Sequence, residues 1–230
     1  DESIRAEAVK RLSCLTDDAE DLGAALFLVS SGPDPDGHLR NEALAQLRRS
    51  ICALCEHASD IATDQPMTVT LEHYDRDIHH RFLLGPSSET SQFARAVREE
   101  HANFGITLDQ SHVAQLGETP SSALKELGDA ICHVHLANCV VRDSSSPLYG
   151  DCHPPFGIDG GEIGKEEISS FVLALQEGGY FDRSAPYGKP IVSIEVRTPG
   201  NANPRTTLSN ALESVLHGCT AALQQNNGRN

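Results

Sequence analysis

The chain has 230 residues, of which 39% are hydrophobic, and a net charge of −15. That is enough apolar material for one sizeable core, and the acidic balance argues against a nucleic-acid binder, which needs stripes of Lys and Arg. No apolar run is long enough for a membrane span and no signal-peptide pattern opens the chain. Seven scattered cysteines, an odd number, read as free thiols in a reducing, cytoplasmic setting rather than as a disulfide framework. There is no initiator Met, and residue 1 falls straight into a helical pattern, so the chain is expected to be a piece of something longer.

The first helical pattern carries Ile4, Val9, Leu12 and Leu15. A strand is predicted at about 23–30, closed by the turn-rich SGPDPDG, and then an amphipathic helix with Leu44, Leu47, Ile51 and Leu54 at helical spacing. Cys52 and Cys55 lie in that helix with metal-like spacing but no second pair, which speaks against a zinc knuckle. A strand at 67–72 follows, then a charged loop in which His79 and His80 read as solvated, and a helix near 90–103 carrying Phe93 and Val97. Next come a strand at 105–109, a helix opened by Pro120 with Leu124 and Leu127, and a strand at 131–136. A long Gly/Pro-rich loop, 138–164, leads to a helix with Phe171, Val172 and Leu175. A strand at 190–196 and a last helix with Leu208, Leu212, Val215 and Leu216 complete the pattern, and 224–230 reads as a frayed polar tail. The βα rhythm without a linker predicts one α/β domain, 1–230, with a parallel sheet.

Four of these strands end alike: MTVTLE on Glu72, GITLD on Asp109, ICHVH on His135 and PIVSIE on Glu195. Period-two alternation places Thr68, Thr70 and Glu72 on one face, with Thr107 and Asp109, and Ser193 and Glu195, doing likewise. The opposite faces carry Val69, Leu71, Ile106, Leu108, Val134, Leu136, Val192 and Ile194, which suits packing against outer helices. His133 shares the face of His135 two residues deeper and reads as an interior histidine; His73 points the other way, toward a helix. In a (β/α) barrel the C-terminal strand ends form one rim where active sites sit. Three carboxylates brought together there would repel one another unless a cation joined them. Two Glu, one Asp and one His suit Mn²⁺, Mg²⁺ or Co²⁺, with Zn²⁺ possible, and leave coordination positions for two adjacent substrate oxygens.

With Glu72, the DQSH box at 109–112, His135, GDCHPPFGIDGGEIG at 150–164 and IEVR at 194–197, the chain resembles the xylose isomerase-like TIM barrels. These include sugar-phosphate isomerases and epimerases, ketose 3-epimerases, inosose-processing enzymes and the more distant endonuclease IV. The resemblance implies a (β/α) TIM barrel of which this chain carries only the last five of eight βα units. It implies one divalent metal held by Glu72, Asp109, His135 and Glu195, with Glu72 and Glu195 also acting as the catalytic acid/base pair. The reaction implied is isomerisation or epimerisation of a sugar, sugar phosphate or related hydroxy-ketone, through an enediolate whose oxygens the metal stabilises. The expected partner is a small-molecule carbohydrate, with homo-oligomers possible in such barrels.

His112 is expected to reach a substrate oxygen, the plainer reading being a capping contact. Arg142 stands about where related epimerases put a substrate-contacting arginine, or is a plain surface residue. Arg197, two residues past Glu195, would orient that carboxylate or bind a substrate anion. Asp151 and His153 match a zinc-binding Asp-x-His of endonuclease IV, or line the substrate pocket as in isomerase-like relatives; the pocket is favoured. Three alternatives stay open: an inosose-type dehydratase on the same scaffold, an endonuclease IV-like zinc phosphodiesterase, and a truncated inactive binding barrel. Against the phosphodiesterase, the first strand ends in Ser30, Ser31 and Gly32, where that enzyme expects a histidine ligand.

Overall fold

A computed structural model describes residues 1–35, 37–185 and 188–227. The elements are α1 (Glu2–Asp21), β1 (Leu26–Ser30), α2 (Arg40–Asp60), β2 (Thr68–Glu72), α3 (Ser87–Arg98), β3 (Phe104–Asp109), α4 (Gln110–Gln115), α5 (Pro120–Leu127), β4 (Ile131–Ala137), α6 (Lys165–Glu177), β5 (Ile191–Glu195) and α7 (Pro204–Asn227). The five strands form one parallel sheet in the order β1-β2-β3-β4-β5, a half-barrel in which each strand lies beside its sequence neighbour. On the inner face, Leu28 of β1 and Ile191 of β5 are 40% and 41% exposed, the side that a half-barrel leaves uncovered.

Register explains how the strand ends meet. Glu72 pairs with Thr107, two residues before Asp109; Asp109 pairs with His135; His135 pairs with Ser193, two residues before Glu195. This stagger is the shear of a barrel wall, and because it advances in steps of two it keeps all four side chains on one face. The other face packs as the alternation requires: Val69, Leu71, Ile106, Leu108, Val134 and Leu136 are fully buried under Ile51, Leu54, Phe93, Val97, Leu124, Leu127, Phe171 and Leu175 from the helices. Thr70 and Thr107 share a hydrogen bond of 2.8 Å on the inner face.

Two close approaches depend on glycine. A Cβ on Gly105 would lie 2.5 Å from Cys132 Sγ, where β3 and β4 change register. A Cβ on Gly218, in mid-α7, would lie 2.5 Å from Ile168 Cγ2 of α6. Local signals shape the helix starts: Thr119 and Ser122 form a capping box with Pro120 in the first turn of α5.

The structure departs from expectation in three places. The helix expected near 90–103 runs from Ser87 to Arg98, because the amides of Glu100 and His101 both bond back to Val97 O and turn the chain into β3. Residues 110–115 form the short helix α4, nucleated when Asp109 Oδ1 accepts from the amides of Ser111 (2.6 Å) and His112 (3.3 Å). Residues 224–227, expected as tail, continue α7, as two successive Gln residues permit; 228–230 lie outside the described residues. No helix among the described residues is long and apolar enough to cross a membrane.

Candidate metal and active site

The strand-end side chains converge on one imidazole nitrogen. His135 Nδ1 lies 3.0 Å from Glu195 Oε2, 3.1 Å from Glu72 Oε1 and 3.6 Å from Asp109 Oδ2. One ligand atom from each of the four residues fits within a sphere of mutual separations of 4.8 Å or less. Asp109 divides its carboxylate: Oδ1 accepts from the Ser111 amide and hydroxyl, while buried Oδ2 has no hydrogen-bond partner. A buried carboxylate oxygen without a donor is costly, and one N–H cannot satisfy three oxygens. A divalent cation among three oxygens and one imidazole would satisfy all of them, so the donor set fits the expected ion.

The electrostatics show the same crowding. Burial, the charge of His112 and repulsion by Glu72 act on Asp109, with the net effect of raising it above the usual carboxylate range. Burial opposes the charged form of His135, but its contacts with Glu195 and Glu72 win and push it up to about 10. Hydrogen bonds to His135 and His153 hold Glu195 well below its ordinary value.

A second network stands against the first. Asp151 Oδ1 lies 2.6 Å from His153 Nε2 and 3.1 Å from His112 Nε2, and accepts from Gln115 Nε2 at 3.2 Å. Its Oδ2 lies 2.9 Å from His80 Nε2, and its amide donates to His79 Nδ1 at 2.9 Å. Burial works against ionising Asp151, but the hydrogen bonds of His112 and His153 outweigh it and hold the carboxyl low. His153 Nδ1 then reaches Glu195 Oε1 at 3.2 Å, joining the two networks. His153 has a positive φ of 43°, an uncommon backbone state for a side chain of its size and one that concentrates at functional sites. Asp109, His112 and His153 form a further donor group within 4.8 Å. A cavity of about 430 Å³ opens here, lined by His80, Asp151, His153, Glu195 and Arg197.

Glu72, Asp109, His135, Glu195, His112, Asp151, His153 and Arg197 are therefore brought to one place, with Arg197 exposed at the cavity edge. Arg142 is not among them: its side chain is 71% exposed, and Glu162 Oε1 and Gly161 O capture the guanidinium. His133 bonds Ser193 Oγ (2.8 Å) inside the sheet and is no part of the ligand group. His73 is fully buried, and burial with the nearby charge of His112 pushes it down to about 3.

Sequence reasoning missed three residues. His79 and His80 bond to the 150–153 segment instead of standing in solvent. Tyr74 Oη donates to Glu72 Oε2 at 2.9 Å, and its ring lies 4.2 Å from the His112 ring. Their one signal was position, within a few residues of a strand-ending glutamate.

A family profile, the xylose isomerase-like TIM barrel, matches residues 1–211. The chain belongs to this family. Among solved structures, it is similar to a D-tagatose 3-epimerase-like protein (TM-score 0.70, 20% identity, 98% of this chain and 73% of that one). A fusion of a xylose isomerase-like TIM barrel with 4-hydroxyphenylpyruvate dioxygenase also matches (TM-score 0.69, 21% identity, 96% of this chain). Our chain spans 32% of that fusion protein. A third neighbour is the IOLI protein with a bound zinc atom (TM-score 0.68, 14% identity, 96% of this chain and 72% of that one). No curated protein sequence matches the chain. At these identities the neighbours show a shared fold: the xylose isomerase-like barrel, present here as five consecutive parallel strands with their helices.

Proposed function

We propose that this family member is a divalent-metal-dependent isomerase or epimerase of a sugar, sugar phosphate or related hydroxy-ketone. The observation that carries the reading is the convergence of Glu72, Asp109 and Glu195 on His135 Nδ1, with Asp109 Oδ2 buried and unsatisfied. These four residues would hold Mn²⁺, Mg²⁺, Co²⁺ or Zn²⁺. A bound divalent ion supplies Lewis-acid polarisation of a carbonyl and charge stabilisation at an adjacent oxygen. Proton movement falls to the glutamates. Glu195, at the cavity wall and braced by His153, and Glu72, braced by Tyr74, reach the same point from β5 and β2. One carboxylate takes the proton from the carbon beside the carbonyl, and the C–H electron pair moves into an enediolate. The other carboxylate returns a proton to the same carbon for epimerisation, and return to the neighbouring carbon is isomerisation. His112, Asp151 and His153 would line the sugar's hydroxyls, and Arg197 would meet an anionic group on the substrate. The D-tagatose 3-epimerase-like neighbour supports the carbohydrate class, and an odd, scattered set of seven cysteines supports a cytoplasmic setting.

The test is metal content followed by exchange chemistry. Purified protein should carry a divalent ion and wash deuterium from solvent into the α-carbon of a ketose or ketose phosphate, and Glu72→Gln or Glu195→Gln should abolish the exchange. Full exchange in both variants would overturn the acid/base assignment. A product lighter by one water would instead mark a dehydratase using the same proton abstraction. The Asp109, His112 and His153 donor group favours a second reading, a zinc phosphodiesterase; two or three zinc ions per chain would support it. Ser30, rather than a histidine, beside Glu72 weighs against it.

A further inference from the structure

At the end of the sheet away from the rim, another set of metal-capable side chains meets. Cys52 lies on α2, and Glu100 and His101 lie in the turn that feeds β3. A thiol sulfur, a carboxylate oxygen and an imidazole nitrogen from these three residues lie within 4.8 Å of one another. Cys52 and His101 are half-buried and Glu100 is exposed. Among the described residues, no other side chain hydrogen-bonds the Cys52 sulfur or the His101 ring, so neither donor is committed elsewhere. Arg48, one turn before Cys52 on α2, grips Glu100 Oε1 and donates to Ala96 O at 3.2 Å. That grip orients the carboxylate and leaves Oε2 available. Glu100 and His101 also line a cavity of about 390 Å³ with Ser59, Gln65, Thr68 and Asn103.

The donor types select the ion. Hard cations such as Mg²⁺ and Ca²⁺ avoid sulfur, whereas thiolate, imidazole and carboxylate together suit Zn²⁺. Three protein ligands leave a tetrahedral ion one open position, which here would face the cavity. The geometry points to a zinc-class site formed by Cys52, Glu100 and His101, its fourth position open to that cavity. Binding forms the metal–sulfur bond and releases the Cys52 thiol proton to solvent. The site would clip α2 to the turn before β3. Cys55, which spacing pairs with Cys52, takes no part: it is fully buried in the core and outside the donor group. The site is independent of the reaction proposed for the rim.

Cobalt(II) tests it, because a thiolate ligand adds a charge-transfer band in the near ultraviolet. With the rim ligands disabled by Asp109→Asn and Glu195→Gln, the full chain should develop that band, saturating at one ion per chain and bleached by Zn²⁺. Cys52→Ser should abolish the band, and Cys152→Ser should leave it. No band, or a band that survives Cys52→Ser, overturns the site. A second measurement needs no substitution at Cys52. Zn²⁺ should slow iodoacetamide labelling of Cys52, read by peptide mass, by about tenfold or more, since a metal-bound thiolate is a poor nucleophile. An unchanged labelling rate overturns the proposal even if Cys52→Ser misfolds.

Discussion

Tyr74 and Glu72 are two residues apart in sequence, and the Tyr74 hydroxyl donates to Glu72 Oε2 while Oε1 of the same carboxylate faces His135 Nδ1. The tyrosine ring is fixed in turn by Phe82 at 4.8 Å and His112 at 4.2 Å. A ligand held by such an outer contact loses orientation when the contact goes. Tyr74→Phe should therefore keep the fold and weaken Mn²⁺ binding by about tenfold or more, read by calorimetric titration. Equal affinity in both proteins would show that Glu72 is oriented without Tyr74.

Asp109 caps α4 through Oδ1 and leaves Oδ2 for the proposed metal. Asn at 109 can still accept from the Ser111 amide and cap α4, but it removes a buried charge whose Oδ2 lacks a donor. Asp109→Asn should leave the metal-free melting temperature equal or higher. The native chain with Mn²⁺ at a hundred times its Kd should gain about 2.7 kcal/mol, since stabilisation follows RT ln(1 + [L]/Kd). That gain should vanish on adding EDTA and be absent from Asp109→Asn. A metal-free Asp109→Asn protein that melts well below the parent would mean that the carboxylate charge itself stabilises the fold.

Gly218 is a packing residue. Alanine would improve helix propensity by about 1 kcal/mol, but its Cβ would sit 2.5 Å from Ile168 Cγ2 at the α6–α7 contact. Overpacking of this kind costs about 1–3 kcal/mol, so Gly218→Ala should lower the urea midpoint with little change in m-value. A raised midpoint would mean the two helices separate at little cost.

Arg142 makes a negative prediction. Its guanidinium is exposed and engaged by Glu162 and Gly161, so Arg142→Ala should change neither metal affinity nor turnover. A large rise in KM alone would place Arg142 on the substrate after all.

How far the sequence carried depends on periodicity. Strand residues two apart share a face, so alternation alone placed Glu72, Asp109 and Glu195 opposite the Val, Ile and Leu side chains, and the structure has them there. The helices with a clear apolar stripe were equally legible. Where backbone hydrogen bonds rather than side-chain pattern decide, as at the turn after Arg98 or in α4, the boundaries were not.

By itself, then, the sequence determined the βα order, the inner and outer faces and the strand-end positions of Glu72, Asp109, His135 and Glu195, because these follow from local period and residue type. Only the tertiary structure decided the two-residue stagger that gathers four strand ends on His135 Nδ1, the return of His153, paired with Asp151, onto Glu195, the recruitment of His80 and Tyr74, and the loss of Arg142 to Glu162. Loop residues have no repeating period to mark which way they face. Their partners lie tens of residues away, so their roles are set by which buried charge they can satisfy once the chain has closed on itself.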